Sequence, residues 1–259
     1  MLFEFFRRRR SIHVDIASFC KCGFVRRENQ DHILVNRRGL VFCVADGIGG
    51  GEGGGVASEI VCREISRSVS KRTDFPERAR LVDAAVRRAD ASVRAYAAKA
   101  GYRQMGSTAT VFVGDSEDGR SAVVGNVGDS RVYCLRAGEM RQLTHDHTME
   151  REILRGNSSR PLSAATEARA SMLAHMLTRA VGVGNDACLE WRKVDMREGD
   201  VFLLCSDGVY GFLTPQELKD AVGSGGSAKE VAARISTRVE EHGAPDNFSA
   251  IIVKIGGRA

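Results

Sequence analysis

The chain has 259 residues, of which 43% are hydrophobic and 27% are charged. This balance is typical of a globular protein with a substantial core, and it excludes disorder over most of the chain. The formal net charge is +5, but the run Arg7–Arg10 supplies most of it, so the rest of the chain is nearly neutral and is not expected to bind nucleic acid.

The N-terminal segment predicts neither a membrane span nor a secretion signal. No apolar run approaches the ~18 residues that a transmembrane helix needs, and Leu2–Phe6 precede the arginines Arg7–Arg10, the reverse of a signal peptide. The seven cysteines are irregularly spaced and are predicted to be reduced thiols. We therefore expect a cytoplasmic protein in which residues 1–11 form a basic tail and residues 12–259 form a single domain.

Taken in chain order, the hydrophobic periodicity predicts groups of strands that are separated by pairs of helices. The predicted strands are Ile12–Phe19, His32–Asn36, Leu40–Ala45, Ala109–Gly114, Ala122–Val127, Arg131–Leu135, Val201–Cys205 and Ser249–Ile255. The predicted helices are Val56–Ser70, Pro76–Ala100, Thr148–Leu154, Glu167–Thr178, Pro215–Val222 and Ala228–His242. Short turns between several strands favour antiparallel pairing, so we predict an α+β fold in which helices cover antiparallel sheets.

Four aspartates stand at the ends of apolar strands, where a ligand can reach them. Asp46 and Asp207 closely follow two strongly apolar predicted strands, Asp129 follows a third, and Asp246 precedes the last strand. Carboxylates that gather at one edge of buried sheets repel one another unless a cation lies between them. The pattern therefore predicts a site for a hard cation such as Mg²⁺ or Mn²⁺.

Other interpretations of these residues compete with metal binding. Asp-Gly is a common turn signal, and Asp129 has the context of a hairpin turn, so both a turn and a metal ligand stay open for it. The glycine-rich stretch Gly47–Gly55 precedes a predicted helix, as a phosphate-binding loop does. It lacks the lysine of a nucleotide-binding loop and follows directly on an acid, which argues against a nucleotide.

Short motifs rich in glycine and aspartate follow one another along the chain. They are Gly23–Asp31, Ala45–Gly50, Val56–Ser58, Met105–Thr108, Asn126–Arg131, Leu143–Thr148, Cys205–Gly208 and Pro245–Asn247. In composition and order these motifs resemble those of the metal-dependent protein serine/threonine phosphatases of type 2C, especially the bacterial members. The resemblance is collinear and extends from residue 12 to residue 255.

The resemblance implies a four-layer α-β-β-α sandwich of two antiparallel sheets flanked by paired helices, with two divalent cations, Mn²⁺ or Mg²⁺, in a cleft at one end. By this resemblance Asp46 would bridge both ions, the carbonyl of Gly47 would ligate one of them, and Asp207 and Asp246 would complete the protein ligands. Asp129 would help to hold a weaker third ion. Two such cations, roughly 3.5–4 Å apart, activate water for in-line attack on phosphorus.

The resemblance also assigns roles to residues that are not metal ligands. Arg26 would bind the substrate phosphate, since a guanidinium donates paired hydrogen bonds to phosphate oxygens. Asp31 would act through metal-bound water. Some eukaryotic relatives have a histidine, proposed as the general acid, where this chain has Ile48, so the proton donor is unassigned. Gly55 replaces a glutamate that is frequent in relatives.

The implied activity is removal of phosphate from serine and threonine residues of proteins, in opposition to a protein kinase. Two alternatives stay open: a catalytically silent module that binds phosphoproteins, and a phosphatase of a small phosphorylated metabolite. The complete set of acids argues against the first alternative, but nothing in the sequence excludes the second. Segment Asn157–Ala170 lies where the family has a variable flap beside the active site, and an ordinary loop is the other interpretation of it.

Overall fold

The computed structural model describes residues 12–49, 53–69, 74–116, 119–156, 164–174, 176–184 and 187–258. The predicted basic tail, residues 1–11, lies outside these ranges, and so does the first half of the predicted flap, residues 157–163. Among the described helices, none combines the length and the apolar character that crossing a membrane requires.

The strands form two antiparallel sheets. They are β1 (Ile12–Lys21), β2 (Asp31–Asn36), β3 (Val41–Ile48), β4 (Gly106–Ser107), β5 (Ala109–Gly114), β6 (Ser121–Val127), β7 (Arg131–Arg136), β8 (Glu139–Gln142), β9 (Glu190–Asp195), β10 (Val201–Cys205) and β11 (Phe248–Arg258). The first sheet has the order β1-β11-β10-β7-β8, and the second has the order β2-β3-β5-β6-β9, with β4 paired to β3.

Capping residues set the ends of several helices. The helices are α1 (Gly53–Ser68), α2 (Phe75–Ala100), α3 (Met149–Gly156), α4 (Ala164–Met172), α5 (Asp207–Tyr210), α6 (Pro215–Gly223) and α7 (Ala228–Glu241). The side chain of Asp74 accepts the N–H of Glu77 at the start of α2, and Gly101 ends this helix in a left-handed conformation. Thr214 forms a reciprocal capping box with Glu217 at the start of α6.

The helices cover the outer faces of the sheets, and a third apolar core separates the sheets from each other. Helices α1 and α2 pack on the second sheet, and α6 and α7 pack on the first. Phe42, Phe112 and Phe202 lie fully buried between the sheets. The ring centroid of Phe112 is 5.9 Å from that of Phe42 and 5.1 Å from that of Phe202 on the opposite sheet. The predicted α+β class and α-β-β-α layering are confirmed.

The structure differs from the predicted elements in two edge strands, in one helix, and in the short elements β4 and α5, which the sequence does not predict. The sequence does not predict β8 and β9, because these edge strands are rich in polar residues and lack a clear apolar alternation. The helix predicted over Glu167–Thr178 spans Ala164–Met172 instead. The residues that follow it form backbone hydrogen bonds with the segment around His147 instead of helical ones, since the N–H of Thr178 donates to the carbonyl of His147.

Two connections cross between the sheets at the end of the sandwich where the aspartates lie. Residues 22–30 join β1 to β2, and residues 128–130 join β6 to β7. The hairpin interpretation of Asp129 is therefore wrong, because a hairpin joins neighbouring strands of one sheet. Asp31 is paired in register with Asp46 in the second sheet, and Asp207 follows β10 of the first sheet and lines the same cleft as Asp46, so acids from both sheets reach the same end of the molecule.

Candidate active site

A cleft of about 810 Å³ opens at this end of the sandwich. Its lining includes Arg26, Asp46, Gly47, Asp129, Asp207 and Asp246. Asp31 lies behind this lining and is 2% exposed. The structure thus brings together every residue to which the sequence analysis assigned a role.

Main-chain contacts fix Asp46 and Gly47 in the cleft. The N–H of Asp46 donates to Oγ1 of Thr108 at 2.9 Å, and its carbonyl accepts the N–H of Thr108 at 2.8 Å. A Cβ on Gly47 would lie 2.2 Å from the carbonyl oxygen of Gly54. Only glycine therefore allows the start of α1 to approach β3 this closely.

Asp207 is the first residue of the short helix α5, directly after β10. The preceding Ser206 donates its hydroxyl to Oδ2 of Asp31 at 2.7 Å, which ties the first sheet to the second. A Cβ on Gly208 would lie 1.9 Å from the carbonyl oxygen of Asn247. Helix α5 therefore packs directly against the segment that leads into β11.

Asp246 forms a two-point ion pair with Arg26. Nη2 of Arg26 donates to Oδ2 at 2.7 Å, and Nε lies 2.7 Å from Oδ1, a geometry that gives a strong charge-assisted contact. Asn247 holds the two loops together, because its Nδ2 donates to the carbonyls of Cys22 and Glu28 at 2.8 and 2.9 Å. The arginine predicted to bind phosphate is thus the counter-ion of a predicted metal ligand.

Asp129 lies in the crossover between the sheets and is 8% exposed. Its carbonyl accepts the hydroxyl of Tyr210 at 3.1 Å. The hydroxyls of Thr108 and Ser130 are 2.8 Å apart, which anchors the crossover. Because Thr108 also holds the backbone of Asp46, the positions of these two acids are linked.

Burial and mutual repulsion favour protonated carboxyl groups in the cleft. Burial raises the pKa of Asp46 well above its ordinary value, and the charges of Asp31 and Asp207 raise it further. Burial also raises the pKa of Asp31 and of Asp129 to about 7, and Asp207 contributes to both shifts. These acids are therefore not all ionised at neutral pH unless a cation joins them.

The chemistry of these residues fits a hard divalent cation. Their side-chain donors are carboxylate oxygens, which Mg²⁺ and Mn²⁺ prefer, and the buried Oδ1 of Asp31 has no hydrogen-bond partner, which is costly if it stays unsatisfied. Within the ranges that the structure describes, no three His, Cys, Asp or Glu side chains are already grouped to hold one ion. A cation that uses Asp246 competes with Arg26 for this carboxylate.

Replacing Asp129 with Asn is expected to stabilise the metal-free protein at high pH and not at low pH. The pKa of Asp129 is raised in the folded state, so the folded state binds the proton more tightly and loses stability as the pH rises from about 4 towards 7. In excess chelator, the melting temperature of Asp129→Asn minus that of the wild type should increase by at least about 2 °C between pH 5 and pH 8. A constant difference across this range contradicts the burial of an unpaired acid here.

Several residues that hold the site cannot be identified from the sequence. Thr108, Ser206 and Asn247 belong to the motifs, but nothing in the sequence shows which groups they contact. Tyr210 lies outside the motifs altogether, and its bond to the backbone of Asp129 joins residues 81 positions apart. Membership in a motif is the only signal that the sequence offers for Thr108, Ser206 and Asn247, and it offers none for Tyr210.

Comparisons with known proteins agree with this architecture. The protein phosphatase 2C family matches residues 26–249. The serine/threonine phosphatase stp of Listeria welshimeri is 29% identical over 239 residues, which are 90% of this chain and 92% of that protein. PppA of Pseudomonas aeruginosa has a similar structure, with a TM-score of 0.82 and 30% identity over 95% of this chain and 99% of that one. The catalytic domain of the phosphatase PstP, solved with two manganese ions, has a TM-score of 0.79 and 26% identity over 95% of this chain and 100% of that one.

An acid-lined cleft at one end of an α-β-β-α sandwich defines a metal-dependent phosphatase, and the comparisons specify which kind. The chain belongs to the protein phosphatase 2C family. The resemblance seen in the motifs is therefore confirmed, and so is the predicted activity of a metal-dependent serine/threonine protein phosphatase.

Proposed function

We propose that the chain hydrolyses phosphoserine and phosphothreonine in proteins at a centre of two divalent cations, Mn²⁺ or Mg²⁺. The ligands in this proposal are Asp46, the carbonyl of Gly47, Asp207 and Asp246. The observation that carries the proposal is the convergence of acids from both sheets on one cleft beside Arg26, with pKa values raised by burial and by one another. The manganese pair in the related PstP domain supports the number of ions.

The side chains have separate tasks in this proposal. When bound, a pair of divalent cations lowers the pKa of water and neutralises charge that develops on the phosphoryl oxygens. Asp46 would hold both ions from the second sheet, while Asp207 and Asp246 would contribute ligands from the first. Asp31 already accepts Ser206 at Oδ2, so its unpartnered Oδ1 is available to accept a hydrogen bond from water. Asp129 helps to hold a weaker third ion.

Arg26 binds and orients the phosphate in this proposal. Its side chain is 57% exposed at the mouth of the cleft, so it can exchange Asp246 for the oxygens of an incoming phosphate while keeping the same two-point geometry. Ile48 lines the cleft but has no acidic proton, so it cannot protonate the departing serine or threonine oxygen.

The walls of the cleft favour a peptide over a small metabolite. Met176 and Val183 line the cleft together with the acids, and they are 54% and 41% exposed. An apolar wall beside a phosphate site suits the side chains that flank a phosphorylated residue in a protein. A small phosphorylated metabolite has no such flanking groups.

Phosphate release from three substrates tests this function. With Mn²⁺ present, kcat/KM for a phosphothreonine peptide should exceed that for a phosphorylated sugar by at least about tenfold, which corresponds to about 1.4 kcal/mol, and p-nitrophenyl phosphate should also be hydrolysed. Peptide binding without turnover would identify the silent binding module. Faster turnover of the sugar phosphate would identify a metabolite phosphatase.

Replacing Arg26 with Ala is expected to raise KM for the phosphopeptide about tenfold and to change kcat less, because an interaction with the phosphate is lost while the acids remain. The apparent affinity for Mn²⁺ should stay the same or increase, since Asp246 loses its competing counter-ion. Arg27→Ala, which removes the same charge one residue away, should raise KM less. Weaker Mn²⁺ binding together with an unchanged KM would contradict the role of Arg26.

We further propose that residues 12–259 form one catalytic domain, that the protein acts in the cytoplasm, and that its substrates include a serine/threonine kinase or the targets of one. The family assignment supports a phosphoprotein substrate. The kinase and the location stay predictions from the sequence.

A further inference from the structure

His147 makes two hydrogen bonds to the backbone of one residue in the crossover between the sheets. The N–H of His147 donates to the carbonyl of Gly128 at 3.0 Å, and the N–H of Gly128 donates to Nδ1 of His147 at 3.1 Å. Gly128 directly precedes Asp129. His147 is 4% exposed, so both bonds are shielded from water.

The bond from Gly128 determines which ring nitrogen of His147 carries the proton. Because Nδ1 accepts, the proton of the neutral ring is on Nε2, which lies 3.2 Å from Oε2 of Glu190 and 3.1 Å from Nη1 of Arg179. In this tautomer Nε2 donates to Glu190 and does not accept from Arg179, whose Nη2 donates to the carbonyl of Cys188. Burial lowers the pKa of His147 and outweighs the contact with Glu190, which raises this pKa; the charge of Arg179 also lowers it. The net shift favours the neutral ring that the bond from Gly128 requires.

Gly128 is also confined by Thr108. It has a φ of +104°, and a Cβ at this position would lie 2.6 Å from Cγ2 of Thr108. Thr108 in turn holds both backbone groups of Asp46. Gly128 is therefore close to both Thr108, which anchors Asp46, and the ring of His147. The orientation of the Gly128 peptide determines the position of the Asp129 backbone that follows it.

We propose that His147 is a positioning residue for the phosphatase reaction: by accepting the N–H of Gly128 at Nδ1, it fixes the crossover that presents Asp129 to the cleft. This inference rests on the proposed role of Asp129 in holding a third cation. His147 touches neither substrate nor cation in this account, and it acts only through the backbone of Gly128.

Two substitutions at position 147 separate the bond to Gly128 from the bond to Glu190. In His147→Asn, the side-chain oxygen occupies nearly the position of Nδ1 and can still accept from Gly128, but the contact with Glu190 is lost. In His147→Gln, the longer amide reaches towards Glu190 and leaves the N–H of Gly128 without its acceptor. Glu190→Gln is the matched control, since it removes the charge from the far side of the ring.

Amide hydrogen exchange in the metal-free protein provides a measurement that is independent of activity. We expect the amide of Gly128 to exchange at least about tenfold faster in His147→Gln than in the wild type, and to stay protected in His147→Asn and Glu190→Gln. With Mn²⁺ and p-nitrophenyl phosphate, kcat should fall about tenfold in His147→Gln with little change in KM. It should stay within about threefold of the wild type in the other two variants.

Three outcomes would overturn the proposal: equal effects of Asn and Gln at position 147, unchanged protection of Gly128 in His147→Gln, or a loss in Glu190→Gln as large as that in His147→Gln. If His147→Gln does not fold, ¹⁵N NMR of the wild type decides, since a protonated Nδ1 would refute the proposed acceptor. If the wild type has no phosphatase activity but the proteins show the expected exchange pattern, the proposed function is refuted, while the hydrogen bond from Gly128 to His147 is still supported.

Discussion

Asp46→Asn is expected to lower kcat by at least about 10³-fold while leaving the fold intact. A neutral amide is a poor ligand for a hard cation, and loss of the proposed bridging ligand should remove on the order of several kcal/mol of charge stabilisation from the transition state. The backbone bonds between Asp46 and Thr108 do not depend on the carboxylate, so the local structure should persist. The measurement is steady-state turnover of a phosphothreonine peptide in Mn²⁺, with circular dichroism as the check on folding.

The same substitution should stabilise the metal-free protein, which a purely structural role does not explain. The raised pKa of Asp46 shows that burial and neighbouring acids oppose its charge, so removal of the ionisable group relieves this penalty. Thermal denaturation in chelator should therefore give a higher midpoint for Asp46→Asn than for the wild type at pH 7. Asp220→Asn, on the exposed face of α6, is the control and should change neither turnover nor stability. A destabilised Asp46→Asn variant that retains turnover would refute the role of Asp46 as a ligand.

Removal of divalent cations is expected to abolish turnover completely and reversibly. The proposed ligands are hard oxygen donors, which bind Mn²⁺ or Mg²⁺ reversibly, and the raised pKa values of Asp31, Asp46 and Asp129 show that their charges are unfavourable without a cation. A chelator should therefore reduce phosphate release to background, and Mn²⁺ added in excess should restore it. Arg26→Ala should regain activity at the same or a lower Mn²⁺ concentration, since Asp246 is then free of its competitor. Full turnover in excess chelator would refute the metal-dependent reaction.

The fold and the acids that line the cleft were predictable from the sequence because they depend on local patterns. Strands such as Val201–Cys205 are continuous apolar runs, and an acid that follows such a run stands at the edge of a sheet wherever that strand is placed. The motifs added the order of the ligands along the chain. Edge strands were not predictable: β9 contains only two apolar residues among six, and its place in the sheet depends on pairing with β6.

Contacts between residues distant in sequence account for the rest of what could not be predicted. No local signal shows that Arg26 pairs with Asp246, which lies 220 positions later, or that His147 accepts the N–H of Gly128. The crossover at Asp129 has the composition of a hairpin turn, and only the assignment of β6 and β7 to different sheets shows that it is not one. These features depend on how the sheets stack, which periodicity along one strand does not determine.

The aromatic layer between the sheets has a consequence for the ions. Asp46 and Gly47 belong to the second sheet, whereas Asp207 and Asp246 extend from the first. The distance between these proposed ligands therefore depends on how far apart the two sheets are held. Phe112 and Phe202, in contact across that gap, act as a spacer of fixed thickness. The spacing of the proposed ligands therefore depends on packing in the hydrophobic interior. A substitution that changes the core volume at Phe112 or Phe202 is expected to change the distance between the ligands on the two sheets.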